Sequence, residues 1–370
     1  MAARRMAERS GAADQVARLR LIRSDNIGPV TYFQLLARFG SAQAALDAIP
    51  DLAARGGGRA PRLAPRGAIE REMEQVERLG ARYLFVGQGL YPPLLAELET
   101  APPALIVKGH VSLLEKPAIA MVGARNASAA ACRFARGLAR DIGAAGVTIV
   151  SGLARGIDTA VHDGSMESGT IGVIAGGIDI FYPPENEERQ RGIAEQGLLI
   201  AEQPPGIEPR ARHFPYRNRI IAGLAHGTVV VEAAPRSGSL ITARIAVEAG
   251  RDVMAVPGSP LDPRAQGCNQ LIREGATLIQ NAQDVLETIR PFVLQPLAQR
   301  SFSYAAPDTA SDANEREREA VMTLLSHTAV PVDEIIRQSN VAPAIVQTVL
   351  LELELAGRLE RHAGGKVSLG

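Results

Sequence analysis

Between residues 83 and 290 the chain repeats one pattern, in which a short apolar run is followed by a stretch with helical spacing. The runs are continuous rather than alternating, so each predicted strand is expected to be covered on both faces. Strands that alternate with helices favour a Rossmann-like, doubly wound α/β domain with a mostly parallel sheet. The runs are 119–122, 147–150, 170–175, 198–201, 228–233, 253–256 and 277–279, and the clearest helical stretches are 128–145, 157–168, 218–225 and 239–249.

The regions on either side of this domain have a different character. Residues 14–54 show helical spacing with breaks at 26–29 and 39–41, which predicts a small module of the SAM or helix-hairpin-helix type. Such a turn can present N–H groups to a phosphate, but a helical cap without a ligand is an equally good interpretation. Three helical stretches and a hairpin near the C-terminus predict a winged helix-turn-helix. The predicted domains are 1–66 for the module and its linker, 67–290 for the α/β domain, 291–314 for a second linker and 315–370 for the winged helix.

Composition excludes some classes of protein. The 370 residues are 46% hydrophobic and 22% charged, which excludes disorder over the whole chain. Cys132 and Cys268 are too few for a disulfide scaffold or a zinc site built on four thiolates, so we expect a reducing, cytoplasmic environment. No stretch approaches the ~18 apolar residues of a membrane span, and residues 1–20 lack the apolar run of a signal peptide. We therefore expect no membrane association.

The net charge of zero hides an uneven distribution. Residues 1–82 hold 14 basic against 9 acidic residues, 83–310 hold 20 against 22, and 311–370 hold 6 against 9. Within the α/β domain, 163–202 is acidic whereas 204–219 is basic. Neutrality therefore does not exclude nucleic acid as a partner, because local charge decides where a phosphate backbone can bind.

Gly, Ser and Arg residues follow several of the predicted strands. Ligands of open parallel sheets bind beyond the carboxyl ends of the strands, where free N–H groups and guanidinium groups favour an anion such as phosphate. One such turn alone is as easily an ordinary connection with an exposed arginine, but several on one sheet edge favour a binding site. The candidates are Gly123, Arg125 and Ser128 after the first run, Ser151, Gly152 and Arg155 after the second, and Ser237, Gly238 and Ser239 after the fifth.

The segment 210–219 interleaves four arginines with two aromatic residues. Neutralisation of backbone charge together with base stacking is the chemistry of single-stranded nucleic acid binding. A solvated loop whose Phe214 fills the core is the structural alternative. The candidate binding residues here are Arg212, Phe214, Arg217, Asn218 and Arg219.

Common nucleotide-binding and catalytic signatures do not occur in the sequence. There is no G-x-G-x-x-G, no P-loop, no G-x-S-x-G and no H-E-x-x-H. Asp158 and His162 are spaced as a pair on one helix face and could serve as an acid/base or metal pair, but a hydrogen bond on the helix surface is favoured. We therefore predict a binding protein rather than an enzyme, without a cofactor or metal.

Five segments, taken together and in order, resemble the motifs of the bacterial DNA-processing protein A (DprA/Smf) family. They are 122–125, 151–158, 214–221, 237–243 and 256–259, and they cover most of the α/β domain. The resemblance implies a single-stranded DNA-binding protein of natural transformation (competence) and homologous recombination. It further implies a homodimer that protects incoming strands and helps load RecA recombinase onto them in place of single-strand binding protein.

The resemblance also suggests residue roles. The family's principal DNA-contacting arginine, in a Gly-Ser-Arg motif, falls on Arg125, with Ala124 where the family has serine. Its basic and aromatic contacts fall within 210–219, where Arg212 and Phe214 are the best assignments. The accessory domains of many family members match the two terminal regions of this chain.

The winged helix departs from what duplex DNA requires. Its third helical stretch, 341–357, has no Lys or Arg and carries Glu352 and Glu354. Such a helix is poorly suited to a major groove, so protein contact or autoinhibition is favoured over duplex binding.

The sequence is compatible with two other functions. The main alternative is a nucleotide-processing Rossmann-like enzyme of the phosphoribohydrolase type. Segment 236–242 lacks that enzyme's Pro-Gly-Gly-x-Gly-Thr turn and catalytic glutamate. A structural adaptor that binds neither DNA nor nucleotide is the third interpretation.

Overall fold

The computed structural model describes residues 2–293, 312–362 and 364–370. The chain divides into two compact units, a terminal unit of Met1–Arg71 with Phe302–Gly370 and an α/β unit of Glu72–Ser301. The helices are α1 (Ala2–Ile22), α2 (Pro29–Phe39), α3 (Ala42–Arg55), α4 (Arg66–Arg78), α5 (Pro93–Ala96), α6 (Ala129–Ala144), α7 (Ile157–Ser165), α8 (Glu187–Gln196), α9 (His213–Gly223), α10 (Gly238–Glu248), α11 (Gln266–Arg273), α12 (Ala282–Val293), α13 (Glu315–Thr323), α14 (Val332–Ser339) and α15 (Pro343–Leu355). The strands are β1 (Arg82–Phe85), β2 (Ala104–Gly109), β3 (Ala118–Gly123), β4 (Thr148–Ser151), β5 (Thr170–Gly177), β6 (Leu198–Gln203), β7 (Gly227–Val231), β8 (Asp252–Ala255), β9 (Thr277–Leu278), β10 (Val330–Pro331), β11 (Leu359–His362) and β12 (Lys366–Leu369).

The α/β unit is built on a nine-stranded sheet in the order β1-β2-β6-β5-β4-β3-β7-β8-β9. Strands β3 to β9 are parallel, whereas β1 and β2 form an antiparallel edge that the apolar runs did not predict. The chain adds strands outwards from β3 to β6 and then returns to place β7 on the other side of β3. This confirms the doubly wound, mostly parallel sheet, and it places the switch in strand order beside β3, where open α/β sheets bind ligands.

The core of this unit explains why its strands have no polar face. The side chains of β3, β4 and β7 are buried almost throughout, and one face packs on α6 and α7. Ala135, Leu138 and Ile142 lie at helical spacing on the buried side of α6. Ser128 caps the start of this helix, and its hydroxyl accepts a hydrogen bond from the Ala131 N–H at 3.1 Å.

Helix α9 begins earlier than predicted. The sequence suggested a loop up to Asn218, whereas the helix starts at His213 after a turn in which the His213 N–H bonds to the Arg210 carbonyl at 2.8 Å. Pro215 lies in the first helical turn, where its missing N–H leaves no helical hydrogen bond unmade. The predicted loop is therefore partly helical, which fixes the directions of Phe214 and Arg217.

The terminal unit contains both predicted accessory folds. Helices α1 to α3 form the N-terminal module, and α13 to α15 with the small sheet β10-β12-β11 form a winged helix, so both predictions are confirmed. An Asn314–Glu317 capping box starts α13. Most of the predicted linker 291–314 lies outside the described residues. Within the described part of the chain, no helix has the length and apolar character needed to cross a bilayer.

Candidate nucleic-acid interface

An open pocket of about 250 Å³ lies at the carboxyl ends of β3, β4 and β5. Arg125 enters it from the loop after β3, and Arg155 from the loop after β4. Tyr182 follows β5, while Phe214 and Arg217 reach the pocket from α9. Four separate loops or helices therefore contribute charged or aromatic side chains to one concave surface.

Phe214 is the centre of a cluster of cationic and aromatic groups. The Cζ atoms of Arg125 and Arg217 lie 5.3 Å and 5.9 Å from the centroid of its ring, within the range of a cation–π interaction. The ring of Tyr182 lies 5.8 Å away, tilted by 52°, and this side chain is 47% exposed. The pocket therefore presents guanidinium groups and an accessible aromatic ring side by side.

Arg217 forms the floor of the pocket. It is only 7% exposed, and its Nε atom has no hydrogen-bond partner in the structure. Its guanidinium lies directly over Gly152, where a Cβ atom would overlap Nη1. This Nε atom is itself buried, so its unmade hydrogen bond lies within the pocket floor.

Asp158 supplies the buried counter-charge. Its carboxylate accepts a hydrogen bond from the Ala154 N–H at 3.3 Å, and burial raises the pKa of this carboxyl while the positive charges of Arg217 and Arg125 oppose that rise. Burial lowers the pKa of Arg217 to about 10, against the opposing effect of Asp158. Arg217 is therefore a cation at neutral pH. With Glu185 as the acidic residue of the lining, the three arginines leave the pocket positively charged.

The predicted hydrogen bond between Asp158 and His162 is wrong. Helix α7 is buried on this side, so His162 does not reach a surface where the pair could form. Its Nδ1 atom instead lies 2.8 Å from the Thr170 hydroxyl, and burial, with the positive charges of Arg189 and Arg217, lowers the pKa of His162 to about 3. His162 is thus a neutral core residue at physiological pH.

The loops that carry Arg125 and Arg155 are held against each other. Gly156 has a φ of +76°, and a side chain there would collide with the carbonyl oxygens of Ala124 and Arg125. The Ile157 N–H donates to the Ala124 carbonyl at 3.2 Å. Asn186, which sequence reasoning missed, donates to the Leu153 carbonyl at 2.9 Å and so helps to fix the second loop.

Several predicted site residues have structural partners instead. The Ser128 hydroxyl and N–H bond to the Glu232 carboxylate at 2.6 Å and 2.8 Å, and the buried Ser151 hydroxyl bonds to the Met121 carbonyl at 2.7 Å. Gly123 packs against the Val231 carbonyl and Ile157, leaving no room for a side chain. Its small size therefore serves the packing of β3 against β7 and α7.

The remaining candidates lie outside the pocket lining. Arg219 is buried, and its Nη2 atom pairs with Glu202 at 2.5 Å. Arg212 is exposed just before α9. Asn218 lies beside the start of α10, where Ser237, Gly238 and Ser239 form the first turn and the two serine hydroxyls lie 2.7 Å apart. The structure thus unites Arg125, Gly152, Arg155, Phe214 and Arg217 in the pocket.

Tyr182 lines the pocket, but the sequence prediction did not include it. It comes shortly after the run 170–175, so the strand-end rule that selected Arg125 also applies to it. In the part of the chain that the structure describes, no group of three or more His, Cys, Asp or Glu side chains is arranged to hold a metal ion.

Three family profiles match successive parts of the chain. The profile described as DNA recombination-mediator protein A matches residues 82–290. A DprA-like N-terminal HHH domain matches residues 12–74, and a DprA winged helix domain matches residues 305–365. These matches agree with the two accessory folds and the α/β sheet seen in the structure.

Individual relatives and solved structures give the same result. The chain is 36% identical to Protein Smf of Escherichia coli over 309 residues, 82% of each chain. It is 47% identical to DNA processing protein DprA of Streptococcus pneumoniae over 202 residues, 53% of this chain and 70% of the relative. The X-ray structure of the S. pneumoniae protein aligns with a TM-score of 0.57 at 41% identity, covering 60% of this chain and 78% of that one. A Helicobacter pylori DNA processing protein A structure, described in terms of its single-stranded DNA binding mode, aligns with a TM-score of 0.53 at 27% identity, covering 57% and 96%.

Proposed function

Because the chain belongs to the DprA/Smf family of DNA recombination mediators, we propose that it binds single-stranded DNA in the pocket around Phe214. The observation that carries the proposal is that Arg125 and Arg217 lie over the ring of Phe214 and that Arg155 lines the same pocket. The single-stranded DNA binding described for the H. pylori relative supports it.

The chemistry of the pocket suits a flexible strand. Guanidinium groups form paired hydrogen bonds to phosphate oxygens, and three of them line this pocket. The exposed ring of Tyr182 offers a face on which an unpaired base can stack. A base within a duplex is already stacked on its neighbours, so this arrangement favours single strands over duplex.

The same protein would act in recombination by protecting incoming strands and helping to load RecA recombinase during natural transformation. Family membership supports this role, including a homodimeric state and exchange with single-strand binding protein. These partners share the cytoplasm with incoming DNA, which is the compartment we propose for this chain.

The DNA-binding proposal is tested by Arg125→Ala. We expect weaker binding of a single-stranded oligonucleotide and a salt dependence shallower by about one or less, because one phosphate contact is lost. The matched control is Arg140→Ala, an exposed arginine of α6 that pairs with Asp141 outside the pocket. Unchanged affinity and salt dependence in the Arg125 variant, measured by fluorescence anisotropy at two salt concentrations, would remove this site assignment.

The recombination role has a separate test. RecA filament formation on oligonucleotides already covered by single-strand binding protein should be faster with this protein than without it. Equal rates would contradict RecA loading while leaving DNA binding intact. Sedimentation velocity of the free protein measures the proposed dimer directly.

A further inference from the structure

Helix α15 of the winged helix is buried on two faces. Val346, Val349, Leu350 and Leu353 pack into the core of the winged helix itself. Thr348, Leu351, Glu352 and Leu355 repeat the same helical spacing on another face, and all four are also buried. The core of a small winged helix covers one face of this helix, so the second buried face requires another cover.

The cover of the second face is the N-terminal module. Helix α3 and the turn after it lie along α15 so closely that a Cβ atom on Gly56 would overlap the Glu352 carbonyl oxygen. A Cβ atom on Gly58 would likewise overlap the Ala356 backbone. The Arg358 guanidinium donates to the Gly56 carbonyl at 3.1 Å. Two glycines thus permit backbone-to-backbone packing between segments about 300 residues apart in the chain.

Charge complementarity surrounds this contact. Arg38 of α2 pairs with Asp312 at 2.6 Å and donates to the Thr348 hydroxyl at 3.2 Å. Arg55, the last residue of α3, pairs with Asp312 at 2.5 Å and lies 4.0 Å from Glu352. Arg318 of α13 also pairs with Glu352, at 3.0 Å, so the arginines of the module add to a cation that the winged helix itself supplies.

We propose that this second face of α15 is a docking surface for the N-terminal module of the same chain, and not a reader of duplex DNA. In a winged helix, the face of the third helix that points away from the core is the one that enters a major groove. Here that face carries apolar residues and Glu352, without Lys or Arg, and so fits a basic, apolar protein surface. The two terminal parts of the chain consequently form one cooperative folding unit.

The full-length variant Gly56→Ala tests the proposal, because its methyl group must displace the end of α15. We expect hydrogen exchange to accelerate about tenfold in both α3 and α15 while the α/β unit and single-strand affinity stay unchanged. Gly11→Ala is the matched control, since nothing lies within 4 Å of a Cβ atom there. Exchange that does not change in α15, or that changes in α3 alone, overturns the proposal.

A charge reversal provides the second variant if Gly56→Ala folds poorly. Arg55→Glu places a carboxylate beside Asp312 and Glu352, whereas the control Arg59→Glu changes the same charge at an exposed position. We expect faster exchange of α15 only in Arg55→Glu, with no gain in affinity for a duplex oligonucleotide. A tenfold or larger gain in duplex affinity overturns the proposal that this face does not read duplex DNA, and unchanged exchange of α15 in Arg55→Glu overturns the docking itself.

Discussion

Gly152 leaves the space in which the charged group of Arg217 lies. The Arg217 guanidinium occupies the space where any larger residue would place its Cβ atom. Gly152→Ala should push Arg217 out of position and weaken single-strand binding by about tenfold, an effect similar to the loss of one charged hydrogen bond. Gly137→Ala, a helical position with nothing within 4 Å of the added atom, is the control in the same anisotropy measurement. Equal affinities of the two variants would show that Arg217 does not contribute to binding.

Burial of His162 predicts that the stability of the protein depends on pH. Its pKa is lowered to about 3 in the folded protein, so between pH 6.5 and 3 the unfolded chain binds the proton that the folded chain does not. Stability from this residue is therefore complete above pH 6.5 and falls as pH decreases, by about 2 kcal/mol between pH 6.5 and 5. Urea unfolding of His162→Gln at both pH values should show a loss smaller by about that amount than in the unmodified protein. Identical losses in the two proteins would contradict a buried neutral imidazole.

At the scale of elements, Ser128 links α6 to the end of β7, and this structural role can be tested separately from DNA binding. Ser128 caps α6 and also bonds to Glu232, which follows β7. Ser128→Ala should lower the free energy of unfolding by about 1–2 kcal/mol because the cap is lost, with unchanged single-strand affinity. Thermal unfolding and DNA binding of the same variant provide the measurement. Reduced affinity at unchanged stability would instead support the DNA contact that the sequence suggested.

The sequence predicted elements better than it predicted their relations. Continuous apolar runs indicated the parallel strands because burial on both faces leaves a direct trace in the residue types. The start of α9 was missed because Pro215 resembles a loop signal, although a first helical turn tolerates it. The partnership of Asp158 with Arg217 left no local trace, since 59 positions separate residues that only the folded sheet brings together.

On the scale of the whole molecule, the chain joins its two ends in one unit. The sequence shows that the third helix of the winged helix lacks basic residues, which argues against duplex DNA as its partner. Its partner could not be read from the sequence, because a contact between α3 and α15 depends on packing across almost the entire chain. Leu351 and Leu355 on the second face of α15 were the available signal, since they indicate a buried face but do not identify the segment that covers it.

The distribution of charge allows a final prediction for the whole chain. If single strands bind in the pocket alone, three guanidinium groups neutralise about three phosphates, and the plot of log K against log salt should have a slope near −2. Binding that also used residues 1–82, with their excess of five positive charges, would give a slope of about −6. We expect the shallow slope, because Arg38 and Arg55 of that region already pair with Asp312. Titration of a short oligonucleotide between about 50 and 200 mM salt distinguishes the two, and a steep slope would extend the interface beyond the pocket.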